Sequence, residues 1–256
     1  MSEASTFAIA LGLATALAAG IVGSFGLMKR MTLAGDVMSH LALPGLGAAF
    51  LWHVNPIAGA AVSVALGIVL IHQLERRSGL AIETAIGVVF VAALAVGALL
   101  TPREELIDAL FGGFGEITTI EVAVGLLGCV AVMWTLYAMR HKLILIIFSP
   151  DMARALKIDV ERVNFIYLCT FGATILLGLR FLGALLVGAM IIVPAATARR
   201  LTRSLNRFLV LSCAASVVSV GAGFIVSRSA HLALGPTIVG IASAMFGLSL
   251  LKRTGS

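Results

Sequence analysis

The chain has 256 residues, 60% hydrophobic and only 12% charged, with a mean hydropathy of +1.10. Soluble globular domains carry about a quarter charged residues, so this composition excludes an ordinary soluble enzyme or binding module and indicates a polytopic membrane protein. The net charge of +6 would suggest nucleic acid in a soluble protein, but here it is a matter of topology, since Lys and Arg collect in cytoplasmic loops.

Uncharged runs bounded by charges define nine candidate spans. The first, Thr6 to Met28, has the roughly 20 residues that a bilayer-spanning helix needs. It is too long for a signal-peptide core, and no small-residue cleavage site with polar flanks follows, so it is expected to be retained. Val37 to Trp52, Pro56 to Leu74, Thr84 to Thr101 and Val122 to Met139 come next. Asn164 to Leu179 and Phe181 to Ala198 follow with almost no polar loop between them at Arg180-Phe181, and Phe208 to Ser227 and Leu232 to Leu251 close the series. The second and sixth runs have about 16 residues each, which fits helices that are buried among neighbours, broken, or paired as a re-entrant hairpin. The expected fold is therefore all-α, a transmembrane bundle of about eight to nine spans.

One alternation gathers the cations on one side. With Lys29-Arg30, Arg76-Arg77, the Arg140 to Arg162 loop, the Arg199 to Arg207 loop and Lys252-Arg253 inside, 15 of the 18 cations are cytoplasmic. Arg103, Arg180 and Arg228 remain outside, and Glu104, Glu105, Asp108, Glu116 and Glu121 fall in or beside one external loop. The N-terminus is then outside and the C-terminus inside. No linker or composition shift marks a second domain, so residues 1–256 are expected to form one transmembrane domain. No G-x-x-x-x-G-K-[ST] phosphate loop occurs, so any ATP must be bound by another chain. Cys129, Cys169 and Cys213 lie in apolar runs without ligand spacing and are expected to pack.

The chemically informative stretch is Gly35-Asp36-Val37-Met38-Ser39-His40-Leu41-Ala42-Leu43-Pro44-Gly45. Asp36 and His40 are four residues apart and share a helix face. At 1.5 Å per residue His40 lies about 16 Å beyond the Lys29-Arg30 boundary, near the middle of a hydrocarbon core of about 30 Å. An ionisable residue at that depth is costly and marks a functional site by default. A carboxylate oxygen with an imidazole nitrogen suits a divalent transition ion such as zinc or manganese, and two ligands make the weak site that conduction requires. The competing reading is an Asp36-His40 hydrogen bond that locks helices together.

In the Arg140 to Arg162 loop, Ser149-Pro150-Asp151 combines an N-cap serine, proline at the first helical position and an acid in the first turn. A cytoplasmic helix from about Pro150 to Lys157 is predicted, with Met152, Ala153, Leu156 and Ile158 as an apolar face. Such a face serves either docking to a partner protein or adsorption to the membrane surface.

These blocks resemble the integral-membrane permeases of bacterial ABC importers for zinc, manganese or iron, the ABC-3 family. The resemblance continues through Glu83-Thr84-Ala85-Ile86-Gly87, the run from Ser149 to Ile158, the run from Leu182 to Arg199 and Gly235-Pro236-Thr237-Ile238-Val239, in the family's order. It implies that Asp36 and His40 contact metal in the translocation path, and that the helix within about residues 149–158, carrying Ser149, Pro150, Asp151, Met152, Ala153 and Leu156, couples to an ATPase. Its further implications are a second permease copy, an extracytoplasmic metal-binding protein, a bacterial cytoplasmic-membrane location, no covalently bound cofactor and no bond-making chemistry in this chain. Glu83 stands where many relatives carry Asp, and Ala233-Leu234 where a Pro-Ser pair is frequent. Glu83 suits a helix N-terminus better than a metal contact, and His53 and His231 fall in external loops where they either help ions enter or are simply solvated. His72 and His141 are read as structural.

Two other functions remain open on the residues alone. One is a proton-coupled secondary metal transporter using Asp36 and His40, and the other an ABC permease for a chelated metal. An intramembrane hydrolase lacks a second transmembrane carboxylate or a His-Glu metal motif at usable spacing. For the cargo, Leu43-Pro44-Gly45 resembles manganese and iron members, and the run from Ile192 to Arg199 resembles zinc members.

Overall fold

The computed structural model describes residues 3–31, 34–79, 81–101 and 119–251. Among them every regular element is helical: α1 (Glu3–Met28), α2 (Ala34–Ser39), a 3₁₀ turn (His40–Ala42), α3 (Leu43–Leu51), α4 (Pro56–Ser78), α5 (Ile82–Leu100), α6 (Thr119–Phe148), α7 (Pro150–Ala155), α8 (Val160–Leu201), α9 (Leu205–Ala230) and α10 (Leu234–Leu251). Only structures that satisfy their own backbone hydrogen bonds can cross lipid. Seven of the described helices are long and apolar enough to do so. The expected acidic loop falls on 102–118, and Lys252-Arg253 lies beyond residue 251; both are outside the described residues.

Local capping chemistry sets several helix starts. Asn55 caps α4 by accepting hydrogen bonds from the Ile57 and Ala58 amides (2.9 and 3.3 Å), with Pro56 in the first turn. Asp159 caps α8 through the Arg162 amide at 3.0 Å. The Ala233-Leu234 departure leaves the turn intact, because α10 begins at Leu234 with Pro236 in its first turn.

The seven long helices among the described residues come close to the expected eight to nine spans, and two of the nine apolar runs, the second and the seventh, are not independent straight spans. The second run is broken into α2, the 3₁₀ turn and α3. Pro44 has no N–H to give the carbonyl of His40, four residues back. The Leu43 amide bonds that carbonyl instead, which tightens the turn to 3₁₀. Ser63 of α4 donates its hydroxyl to the Leu41 carbonyl at 2.6 Å, satisfying a backbone group at the break.

The sixth and seventh runs form one helical element, α8, that folds back at Gly183 (φ 70°, ψ 173°), a conformation close to glycine-only. A Cβ placed on Gly178 would stand 2.3 Å from Val187 Cγ2. Nine residues along a straight helix would separate such groups by about 13 Å, so the arms 160–182 and 184–201 lie side by side.

This hairpin is the hub of the bundle, packing against α1, α2, α4, α6, α9 and α10. Tyr167 on its first arm is fully buried and donates its hydroxyl to the Val22 carbonyl of α1 at 3.0 Å. On the second arm, a Cβ on Gly188 would come within 2.5 Å of Asp36 Cα, so α2 lies directly on the glycine backbone. Lipid supplies no hydrophobic force between helices, and small residues that allow close approach do that work.

The cation-bearing helix ends gather at one end of the bundle. Lys29 donates to Asn164 Oδ1 at 2.5 Å, Arg76 pairs with Glu161 at 2.9 Å, and the Arg199 guanidinium lies 5.9 Å over the Phe208 ring. Ends that are far apart in sequence thus meet as the charge alternation predicts.

Candidate functional site

Asp36 and His40 flank the end of α2. Ser39 between them keeps helical dihedrals (φ −65°, ψ −32°), so their four-residue spacing still carries both onto one face. Asp36 is exposed while its backbone is clamped by Gly188 and by the Ser39 hydroxyl, which donates to the Asp36 carbonyl at 2.6 Å. The carboxylate is therefore free and its anchor is rigid.

His40 is half-buried and stacks on Phe90 of α5, with ring centroids 5.5 Å apart and an interplanar angle of 21°. Its Nδ1 is buried without a hydrogen-bond partner. A buried polar nitrogen normally finds one, and His72 Nδ1 is the other imidazole nitrogen in this state among the described residues. No hydrogen bond or ion pair within 4 Å joins Asp36 to His40.

No group of three or more His, Cys, Asp or Glu side chains able to hold a metal occurs among the described residues. Structural zinc sites take four protein ligands and catalytic ones three. Asp36 and His40 supply two side chains of ligand type, fewer than either kind of resident zinc site takes.

The helix predicted from about Pro150 to Lys157 forms, shorter than expected. Ser149 accepts from the Met152 amide at 3.4 Å, Pro150 and Asp151 occupy the first turn, and Arg154 pairs with Asp151 at 3.2 Å. The helix stops after Ala155, and Lys157 turns into the left-handed region at φ 57°. Its apolar face differs from the expected one. Met152 and Leu156 are 56% and 63% exposed, whereas Ala153 is 0% exposed and packs into the core with half-buried Ile158 beside it. One turn of helix cannot present positions 152 and 153 to the same side, so the exposed pair is Met152 and Leu156.

Glu83 sits exposed in the first turn of α5, where Ala81 provides no side-chain cap. His53 and His231 are exposed at left-handed turns after α3 and α9 (φ 54° and 51°). His72 packs on Phe165 with centroids 4.8 Å apart, its Nδ1 buried and unpartnered. His141 accepts from Arg140 Nε at 3.1 Å. All three cysteines are free. Phe90 was not anticipated: an aromatic residue in an apolar run carries no mark of function until the fold lays it under His40.

A bundle built around a hairpin, with seven described helices long and apolar enough to cross a membrane, defines a polytopic membrane protein. The model of the ABC 3 transport family matches residues 1–253, and the chain belongs to that family. It is 31% identical over 252 residues to the high-affinity zinc uptake system membrane protein ZnuB of Haemophilus influenzae, covering 96% of each chain. It is 31% identical over 243 residues to the manganese transport system membrane protein MntC of Listeria monocytogenes, covering 92% of this chain and 85% of that one. It is also 30% identical over 248 residues to the chelated iron transport system membrane protein YfeD of Yersinia pestis, covering 95% and 84%. The solved structure of PsaBC from Streptococcus pneumoniae in complex with Fab superposes with a TM-score of 0.83 at 25% identity, covering 97% of this chain and 91% of that chain.

Proposed function

We propose that the whole chain, 1–256, is the membrane-spanning permease domain of an ATP-driven importer for a divalent transition metal, zinc or manganese, with iron as a further candidate. Two copies form the path between them, and each contributes Asp36 and His40. The observation that carries this reading is the pairing of a solvent-open Asp36 carboxylate with a buried, unpartnered His40 Nδ1 on one face of a broken helix. Symmetric duplication would offer four ligands in all, enough to strip an ion of water but split between two moving subunits. The metal is cargo, and the chain holds no resident cofactor and makes no bonds.

In this reading α7 docks on a separate ATPase through Met152 and Leu156, with Ser149, Pro150 and Asp151 fixing the helix start and Ala153 seating it on the bundle. The cation-bearing end, and with it the C-terminus, faces the cytoplasm of a bacterial cell, as the positive-inside rule requires. An extracytoplasmic metal-binding protein delivers the ion at the opposite end, where His53 and His231 are exposed.

The test is metal uptake into proteoliposomes containing the chain with its ATPase and binding protein. Asp36→Ala and His40→Ala should each abolish uptake while the complex still assembles. Normal rates in either variant would remove the site, and uptake by this chain alone under a proton gradient would replace the ATP-driven reading with a secondary transporter.

A further inference from the structure

A groove of about 820 Å³ opens between α1, α6 and α9 at the cation-bearing end. Met133, Leu209 and Val210 line its apolar length over the buried Phe25 and Leu136, and Tyr137, Arg140, His141 and Asn206 stand at its mouth. From Thr119 to Arg140 helix α6 rises about 32 Å, one hydrocarbon thickness of about 30 Å. The mouth therefore lies at the membrane–water boundary, where exposed Trp134 and Tyr137 add the aromatic side chains typical of that level.

Arg140 is held ready for an anion. Its guanidinium lies 3.9 Å from the Tyr137 ring centroid and its Nε donates to His141 Nε2 at 3.1 Å, leaving the terminal nitrogens free. Arg76, Arg154 and Arg162 are paired with carboxylates, but no carboxylate lines this groove. Asn206 and the first turn of α9, which Ser204 does not cap, add polar and electropositive character to the same mouth.

We infer that the groove is a site for one anionic phospholipid, with an acyl chain along Met133, Leu209 and Val210 and the phosphate on Arg140 and Asn206. Basic pockets between transmembrane helices recognise anionic headgroups in this way. The main packing partners of α6 and α9 are α1, α7, α8 and α10, not α2, α3 or α5. The groove is thus on the flank away from Asp36 and His40.

The test is native mass spectrometry of the chain in its purified assembly after exposure to equal phosphatidylglycerol and phosphatidylcholine. The wild type should retain phosphatidylglycerol selectively, and Arg140→Gln should lower that retention about fivefold, with Arg140→Lys restoring most of it. Val210→Trp should block the apolar arm, and Arg228→Gln at the other end should change nothing. Equal retention of the two lipids by the wild type, or unchanged phosphatidylglycerol in Arg140→Gln, would overturn the site. Should Arg140→Gln fail to fold, the wild-type competition and Val210→Trp still decide. Dissociation of an oligomer by Val210→Trp would assign the face to a second copy of the chain instead.

Discussion

The imidazole of His40 lies nearly parallel to the Phe90 ring, with centroids 5.5 Å apart, and its buried Nδ1 has no partner. The α5 aromatic stacks on the ring while leaving Nδ1 without a partner, the nitrogen that the proposed site would offer an ion. Stacked aromatic pairs contribute about 0.5–1.5 kcal/mol. Phe90→Ala should therefore reduce metal uptake roughly three- to tenfold through loss of His40 orientation, with assembly retained. Phe90→Tyr should preserve transport, and equal rates in wild type and Phe90→Ala would show that the stacking is incidental.

The break at His40 depends on the missing N–H of Pro44. In Pro44→Ala the amide returns and the α-helical bond to the His40 carbonyl can form, so α2 and α3 should merge into a straighter helix. Thermal stability in detergent is expected to hold or rise, while uptake falls. A variant that transports normally would mean that the 3₁₀ turn does not set the site's geometry.

Gly183 makes the reversal of α8 possible. Its dihedrals cost a residue with a side chain about 1–3 kcal/mol, so Gly183→Ala should lower the melting temperature and the yield of folded protein. Gly188→Val should be worse for the site itself, because the side chain would push α2 off the second arm at Asp36. Both effects can be read from thermal unfolding and gel filtration.

If α7 docks on an ATPase as proposed, its exposed and buried faces should respond differently to charge. Met152→Glu and Leu156→Glu put charge on exposed apolar positions and should release the ATPase in co-purification without loss of folded permease. Ala153→Glu puts an acid into the core and should instead reduce folded yield. If all three behave alike, α7 is a structural element and not a dock.

Lys29, just beyond the last turn of α1, has its pKa pushed down from 10.5 to about 8 by burial, with Glu75 partly opposing the shift. Between pH 8 and 10.5 the unfolded chain holds more protons at this site than the folded one, so stability should rise with pH across that window. The cost of the buried charge is fully present below pH 8. Lys29→Met should flatten this rise, as seen in melting temperatures from pH 7 to 10.

Much of this architecture was legible residue by residue. Runs of uncharged residues located the helices because lipid tolerates backbone only in self-satisfied form. Ser149-Pro150-Asp151 announced a helix start that the fold reproduces. The short second run, with Pro44 inside it, fits the broken helix observed. Even the gathering of Lys29, Arg76 and Arg199 at one end followed from counting cations.

What one dimension determined, then, was the set of helices, their ends, and the presence of an acid and a histidine four residues apart in an apolar chain, because propensity, capping and hydropathy act locally. What only the tertiary structure decided was the state of those groups. Gly188 lies more than 150 residues from Asp36, and Phe90 lies 50 from His40. Only the hairpin at Gly183 and the packing of α5 bring them together, leaving the Asp36 carboxylate open, His40 Nδ1 unpartnered and Ala153 facing inward, because a side chain's surroundings are set by neighbours that local rules cannot see.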